Sequence, residues 1–273
     1  MSAFRRFVNL AAWAGLAVCL CCQAGCRDTS QDAENAALTT ARTAFIDGDY
    51  LASETAYQNY LQAYPAGKGR LEAWRRLADV NQFARSAPAK AATILETAAP
   101  EFGSDPQAGP DMLLRAARIR LALRDYEHAT RLLEKLLGMD DLPSTSRAEA
   151  MDALIQARID ANDLSGAVAL LGKAVSSQTD PAEQARLHLR LALLHLQRDA
   201  PDAAEPLLRS LYENQVIPQK LRARAGFFLA SILEGKRQTD EADRIYASLL
   251  GIYPNTLVIE KKIKKNESVG IYK

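Results

Sequence analysis

Four cysteines are the side chains best suited to metal or covalent chemistry, and all of them lie close to the N-terminus. They are Cys19, Cys21, Cys22 and Cys26. Crowded thiolates can bind zinc, but four ligands on one short apolar segment lack the loops and supporting hydrogen bonds of a closed tetrahedral site. The chain after Cys26 contains no cysteine, so it provides neither a disulfide framework nor a thiolate nucleophile. We therefore expect no metal site.

The three histidines are too scattered to form a catalytic or metal-binding group. His188 and His195 lie seven residues apart, about 10 Å along a helix, so they need ligands from elsewhere to hold a metal ion. His128 is expected near the start of a helix, where it is solvated. Packing or surface roles are the simpler interpretation of all three.

Paired carboxylates and enzyme motifs give no further indication of catalysis. Asp140–Asp141 lies in a predicted loop and Asp32/Glu34 at the start of the predicted array, where neither acid would be desolvated as acid–base catalysis requires. The chain contains no glycine-rich phosphate loop, no His-Glu-x-x-His and no Gly-x-Ser-x-Gly. We predict that the protein is not an enzyme and takes no cofactor.

Composition and charge restrict the class of partner. Lys plus Arg number 34 against 33 for Asp plus Glu, and 48% of the residues are hydrophobic, which is ordinary globular usage. A net charge of +1 provides no bulk attraction to nucleic acid. We therefore expect no nucleic-acid partner.

The N-terminal segment up to residue 25 has the pattern of an export leader. Met1–Phe7 contains two arginines and no acid, and Val8–Cys22 is apolar and interrupted mainly by Asn9. The apolar run of about 15 residues is shorter than the roughly 20 that a membrane-spanning helix needs. We predict a signal peptide over residues 1–25 that is removed after export.

The end of this leader, Gln23-Ala24-Gly25-Cys26, resembles the lipobox of bacterial lipoproteins. The resemblance implies that Cys26 becomes the lipid-modified N-terminus, on a tether of residues 26–33. Asp28 is at position +3, so an inner-membrane retention aspartate at +2 is absent and the outer membrane, facing the periplasm, is favoured. The alternative is an ordinary secretory signal cut near Ala24 or Gly25, which leaves a soluble protein.

The elements that follow the leader recur with a nearly constant period. A small residue is followed by packing residues at +4 and +7 in six segments, and the intervals between successive small residues are 38, 38, 38, 37 and 38. Positions i, i+4 and i+7 form one stripe of a helix, and a small side chain there lets a second helix approach closely. The six sets are Ser53/Tyr57/Tyr60, Ala91/Leu95/Ala98, Ala129/Leu133/Leu136, Ala167/Leu171/Ala174, Ala204/Leu208/Leu211 and Ala242/Tyr246/Leu249.

A matching stripe lies about a dozen residues upstream in each repeat, so each unit is predicted to be a helical hairpin. In the second repeat this stripe, Leu77-Ala78, fits only after a slip of one residue. Asp49, Asp125, Asp163 and Asp180 are predicted N-caps, and Ser146 with Glu149 has the spacing of a capping box.

Gly48-Asp49-Tyr50 and the closing Tyr64-Pro65 make the first repeat resemble a tetratricopeptide repeat, or TPR. The resemblance covers residues 34–254, although the closing proline is replaced in the four central repeats. It implies an all-α fold, an α–α superhelix of about six helical hairpins. A HEAT-like solenoid is the alternative, because its period is close to the one found in this chain. Residues 255–273 are left as a basic tail, which we expect to be frayed and solvated. Contact of this tail with anionic lipid or with a partner is the alternative.

The resemblance also implies where a partner would bind, because the first helix of each repeat lines the groove in this family. Arginine offers a bidentate fork to carboxylates, and phenylalanine offers an apolar anchor. Core packing and solvation are the alternative roles for the same residues. The implied groove residues are Arg42, Phe45, Arg76, Phe83, Arg118, Leu121, Gln156 and Phe227.

The sequence therefore predicts an adaptor rather than a catalyst. We expect a membrane-anchored periplasmic scaffold whose groove binds a protein or extended peptide in envelope assembly or secretion. A periplasmic enzyme, or an enzyme accessory, that acts on cell-wall glycan is the alternative function.

Overall fold

The structure is a computed structural model that describes the backbone of residues 31–270 and the side chains of residues 31–263. All regular secondary structure in the described backbone is helical, so the predicted all-α fold class is confirmed. The signal peptide, Cys26 and the predicted tether up to residue 30 lie outside the described residues. The helices are residues 31–46 (α1), Tyr50–Ala63 (α2), Arg70–Asp79 (α3), Pro88–Ala98 (α4), Ala108–Ala122 (α5), Tyr126–Leu137 (α6), Ser144–Asp160 (α7), Leu164–Ser177 (α8), Pro181–Gln197 (α9), Pro201–Glu213 (α10), Gln219–Gly235 (α11), Thr239–Leu249 (α12) and Thr256–Gly270 (α13).

The chain divides into two compact units at residues 150 and 151, within α7. Unit 1 contains α1 to α6 and the start of α7, and unit 2 contains the remainder of α7 to α13. Each hairpin pairs one helix with the next, and we call α1, α3, α5, α7, α9 and α11 the first helices and their partners the second helices. No helix in residues 31–270 is long and apolar enough to cross a bilayer.

The predicted column of small residues is buried at all six positions, each with an exposed fraction of 0%. Its partner on the preceding first helix is also buried, as Ala41 and Ala117 show in unit 1 and Ala192 and Ala230 in unit 2. Ser53, the one polar member, donates its hydroxyl to the Ala41 carbonyl at 3.0 Å. Close helix approach at these positions therefore sets the register of each hairpin.

A second set of equivalent positions lies in the turn between the two helices of every hairpin. One residue per turn has a positive φ between 52° and 80°, and glycine, which adopts this conformation without strain, occurs only in the first. In the third to sixth hairpins the next amide donates to a carbonyl five residues earlier, which satisfies the end of the first helix. The positive-φ residues are Gly48, Ser86, Arg124, Asn162, Asp199 and Arg237.

Five of the six second helices start in one of two ways, and α12, with Gln238 at its cap, has neither feature. Asp49, Asp125 and Asp163 accept a hydrogen bond from the amide three residues on, as predicted. The helices α4 and α10 instead have alanine at the cap and proline at the first turn, which removes one unpaired amide. Pro206 lies inside α10, yet that helix begins at Pro201, so the proline does not delay its start.

The slip in the second repeat has a structural cause. Val80–Ala84 is a π-helical segment that follows α3 directly, and the Arg85 amide donates to the Val80 carbonyl, five residues earlier, at 2.9 Å. A π segment accommodates one extra residue without ending the helix. It therefore explains why the interval from Ala78 to Ala91 is one residue longer than the equivalent interval in the other repeats.

Side chains from the next repeat close α6 and α8, two of the four second helices that lack the closing proline of the family. Arg147 on α7 donates to the Leu137 and Met139 carbonyls at 2.9 and 2.7 Å. Gln184 on α9 donates to the Val175 carbonyl at 3.4 Å. Each contact satisfies carbonyls that the end of a helix leaves unpaired.

Two local predictions were wrong. Ser146 is not a cap, because α7 begins two residues earlier, at Ser144. The segment after Pro254 is not a frayed coil at its start, because Thr256–Gly270 forms α13. Ile259 on this helix is completely buried, and Lys262 donates to Glu234 at 2.6 Å. Ile259 belongs to the hydrophobic core of unit 2, and its burial stabilises the first part of α13.

Candidate binding surfaces on the first helices

In unit 1 the three predicted groove arginines are paired with carboxylates. Arg42 forms a bidentate pair with Glu72 at 2.6 and 2.5 Å, which joins α1 to α3. Arg118 on α5 contacts Glu149 at 2.7 Å, and Arg76 lies 3.8 Å from Asp79. The hydrogen bond from Arg42 lowers the pKa of Glu72, so the carboxylate stays ionised. Arg42 and Arg118 are therefore largely neutralised within unit 1, whereas Arg76 shares Asp79 with Arg115, which lies closer at 2.7 Å.

The predicted phenylalanines of unit 1 lie beside arginines of the next repeat. The Arg76 guanidinium is 5.5 Å from the centre of the Phe45 ring, and Arg115 is 5.8 Å from that of Phe83. Both distances permit cation–π attraction. Phe83 lies in the π segment with 72% of its surface exposed, and Leu121 on α5 is half-buried. Phe83 is thus an exposed apolar group that a partner can cover.

In unit 2 neither predicted groove residue is free for a ligand. Gln156 on α7 donates to Asp160 at 2.8 Å and accepts from Arg190 at 3.3 Å. Phe227 on α11 is stacked on Tyr253, with ring centres 4.8 Å apart, and packs against the core of the unit. Phe227 therefore acts as core packing.

A cleft that the sequence pattern did not indicate lies between the first helices α9 and α11. Its volume is about 250 Å³, and it has leucines at its base and arginines at its rim. Arg224 forms no hydrogen bond or ion pair with any residue in the described part of the chain. We call this the arginine cleft, and its lining residues are Arg186, Leu189, Arg190, Leu193, Leu221 and Arg224. The signal that could have revealed it is Lys220-x-Arg222-x-Arg224, three cations at the start of α11 with no acid in its first turn.

A second cleft lies on the second-helix side of unit 1, between α2, α3 and α4, with a volume of about 500 Å³. Leu61, Trp74, Leu77 and Ile94 form its apolar lining. The Trp74 indole nitrogen donates to Glu101 at 2.9 Å, so the ring is held by its polar edge. The rim consists of glutamine and threonine side chains with one lysine.

One carboxylate beside this cleft is buried. Glu54 is 4% exposed and pairs with Arg85 at 2.8 Å and with Lys90. Burial alone would raise the pKa of Glu54, but the Lys90 hydrogen bond and the charges of Lys90 and Arg85 lower it overall. The nearby Asn81 donates to the Leu77 carbonyl at 2.9 Å. The group is an ion-pair cluster that joins the first two hairpins.

The histidines have structural surroundings. His128 is not simply solvated, because it lies 3.0 Å from Glu96 on α4 and 3.6 Å from Asp125. Burial lowers the pKa of His195, so it is neutral at pH 7. Across residues 31–263 no three histidine, cysteine or acidic side chains are grouped so as to bind a metal ion.

Neither a protein-family model nor a curated protein matches the chain. Solved structures do match it. A chain of the Naa15/Naa10 assembly bound to HypK-THB superposes with a TM-score of 0.54 at 17% identity, covering 86% of this chain and 39% of that one. The TPR-like repeats of a kinesin light chain from Podosopora anserina give 0.49 at 19% identity, covering 67% and 95%. Pseudomonas aeruginosa PilF gives 0.43 at 17% identity, covering 87% and 97%.

Together with the six helical hairpins, the match to the Naa15/Naa10 chain decides the fold. The chain has a TPR-like repeat fold. The predicted TPR-like solenoid is thereby confirmed as a fold class.

Proposed function

We propose that the protein is a lipid-anchored adaptor that binds a protein partner in the bacterial envelope through its first helices and performs no catalysis itself. One observation carries the proposal: among the described residues the π segment that continues the first helix α3 keeps the exposed Phe83 in unit 1, and the first helix α11 keeps Arg224 without a carboxylate partner in unit 2. An exposed aromatic ring and a free guanidinium are typical anchors of protein interfaces. The solved Naa15/Naa10 structure also has HypK-THB bound, which supports a protein as the kind of partner.

The envelope location is proposed on the leader. A basic start, a short apolar run and Ala24-Gly25-Cys26 together favour export and lipid attachment at Cys26. On this proposal the mature protein faces the periplasm, and the outer membrane is the favoured location. Cys26→Ser should release the protein from membranes. Mass spectrometry that finds an unmodified mature chain starting at another residue would contradict the anchor.

Site-specific photocrosslinking in cells tests the adaptor function. A photoreactive amino acid at Phe83, on the first-helix side of unit 1, or at Arg224 in unit 2 should crosslink to one protein partner. Glu127 is the control, because it is exposed on the second helix α6. Equal crosslinking from Glu127 would contradict the assignment of the first helices.

A turnover assay tests the absence of catalysis. Purified protein incubated with muropeptides should leave them unchanged, since no desolvated acid pair was found among the described residues. Hydrolysis that survives purification would instead support the glycan-directed alternative.

A further inference from the structure

We propose that the arginine cleft binds a short acidic segment of the partner, in which one aliphatic side chain is flanked by carboxylates. This inference rests on the proposed function, because it assumes a protein partner on the first helices. It adds the chemistry of that partner and the residues of unit 2 that recognise it.

The volume of the cleft favours a side chain over a small molecule. Pockets for drug-sized ligands usually measure about 300–1,000 Å³, whereas this cleft measures about 250 Å³. Its base contains the buried Leu189 and the half-buried Leu193 and Leu221. An aliphatic side chain of the partner would remove this leucine surface from water at the centre of the contact.

The rim of the cleft is positively charged in excess of its own carboxylates. Arg186 pairs with Glu183, three residues away on α9, at 2.6 Å, and both side chains are well exposed. Such exposed pairs contribute little and exchange readily for a better partner. Arg190 pairs with Asp152 on α7. Arg224 has no partner among the described residues, so the rim retains one uncompensated charge.

The spacing of the rim fits an extended peptide. Arg186 and Arg190 are four residues apart on one helix, about 6 Å along its axis at 1.5 Å per residue. Carboxylates two residues apart in an extended chain are separated by about 6.6 Å, with the intervening side chain on the opposite face. Arginine can donate two parallel hydrogen bonds to each such carboxylate.

Helix stability does not explain the cations on α11. Its first half contains Lys220, Arg222 and Arg224, and its first turn has no acid and no side-chain cap. Cations near a helix N-terminus oppose the helix dipole and destabilise it slightly. By contrast α9 begins with Asp180 and Glu183, the favourable arrangement. Of these three cations Arg224 lines the arginine cleft, and its charge is therefore better explained by what it binds.

Titration of the full-length chain with synthetic peptides, followed by two-dimensional NMR of arginine side chains, tests the inference. The probe is Gly-Ser-Asp-Leu-Asp-Ser-Gly, and its controls carry Asn-Leu-Asn or Asp-Ala-Asp at the centre. We expect the acidic leucine peptide to bind at least about tenfold more tightly than either control and to shift the Arg224 resonance. Equal binding of the three peptides would overturn the inference.

Matched variants keep the test specific. Arg224→Gln should weaken binding of the acidic leucine peptide about tenfold, whereas Arg244→Gln, an exposed arginine on α12, should leave it unchanged. Equal weakening by both variants would show non-specific attraction and contradict the cleft. Stronger Arg224-dependent binding to phosphatidylglycerol vesicles than to peptide would assign the cleft to lipid and overturn the inference. If the peptide fails while crosslinking from Phe83 succeeds, the adaptor function stands and only this inference falls.

Discussion

The two units use arginine on their first helices in different ways. In unit 1 the side chains of Arg42 and Arg118 cross to the next repeat and meet a carboxylate there, and Arg70 pairs with Glu101 just after the second helix of its own hairpin. In unit 2 Arg224 is exposed without a partner in the described residues, beside the apolar base of the arginine cleft. Arg190 in unit 2 also joins neighbouring hairpins, because it pairs with Asp152 on α7. The difference is that unit 2 keeps one first-helix arginine, Arg224, available for binding.

This difference shows why groove residues cannot be transferred by spacing alone. Arg42, Arg76 and Arg118 lie on the same helix of successive repeats, and spacing by itself predicts that all three are available. Whether an arginine is free depends on the residue at the facing position about a repeat later, as Glu72 and Glu149 show. Repeat position identifies the helix face, and the neighbouring repeat decides the charge of that face.

Replacing Arg70 should have the largest effect on stability. Its side chain is largely buried, pairs with Glu101, and donates to the Leu61 and Tyr64 carbonyls at 2.5 and 2.9 Å. Arg70→Met leaves a carboxylate and two carbonyls with lost partners, so we expect a loss of about 3 kcal/mol. Arg224→Met should stay within about 0.5 kcal/mol of the parent. Denaturant unfolding of both variants measures this difference. Similar midpoints for the two variants would contradict the distinction between a stabilising arginine in unit 1 and a free one in unit 2.

Enlarging the small-residue column should destabilise both units by similar amounts. Ala129→Leu in unit 1 and Ala204→Leu in unit 2 insert a large side chain at positions with no exposed surface. Overpacking of this kind costs about 1–3 kcal/mol. Glu127→Leu on the exposed face of α6 is the control, with little expected change. If either alanine variant unfolds at the parent midpoint, the hairpin register assigned to that unit is wrong.

Acid should weaken unit 1 before unit 2. The Arg70 hydrogen bond lowers the pKa of Glu101 from its ordinary value of 4.5, and the Arg42 bond does the same for Glu72. A carboxyl group whose pKa is lower in the folded state stabilises that state at any pH above its pKa in the unfolded chain. This contribution is lost as the pH falls below 4.5 towards the pKa of the folded state. The loss for Glu101 should be about 1 kcal/mol or less, since the pair is partly exposed. The described part of unit 2 contains fewer carboxylates with a lowered pKa than unit 1 does, namely Asp163 and Glu205.

Hydrogen exchange measured from about pH 7 down to about pH 3, which covers the range where these carboxylates become protonated, should therefore show unit 1 losing protection first. In Glu101→Gln the protection of unit 1 should be lower at neutral pH and should change less with acid. A parent chain whose two units lose protection together would contradict the greater dependence of unit 1 on these ion pairs.

Adding an N-cap in unit 2 should have the smallest effect, and a favourable one. Gln238 precedes α12 with φ −88° and ψ 57° and makes no capping bond, while Asp163 caps α8 at φ −83° and ψ 65°. Gln238→Asp can therefore accept an amide without rearrangement, and we expect a gain of about 0.5–1 kcal/mol. Asp163→Ala should lose a similar amount. Thermal unfolding measures both changes, and an unchanged midpoint for Gln238→Asp would show that the turn geometries are not equivalent.

Much of the fold was predictable from the sequence because burial in this protein follows a fixed period. The intervals between small residues located all six hairpins, and Asp49, Asp125 and Asp163 located three helix starts. The π segment at Val80–Ala84 was visible only as a slip, because an extra residue can be absorbed in a loop or in a helix. The residue pattern does not distinguish between these two cases.

The candidate site was less predictable because it depends on contacts between helices. Phe227 has the spacing of a groove residue, yet its ring stacks on Tyr253, which lies beyond the second helix of the same hairpin. Arg224 was not among the predicted groove residues, because it lies about one turn before Phe227, the residue of α11 that the repeat spacing assigns to the groove. Both errors concern which side chains meet across helices, and a one-dimensional period does not contain that information.

The closing contacts of the second helices define where the protein can be shortened. Arg70 closes α2, and Arg147 closes α6, although each belongs to the following hairpin. A fragment cut directly after a second helix therefore ends on unpaired carbonyls. Functional fragments of this protein should run seven to ten residues into the next repeat. The structural unit that can be exchanged between related chains is therefore shifted along the chain relative to the sequence repeat.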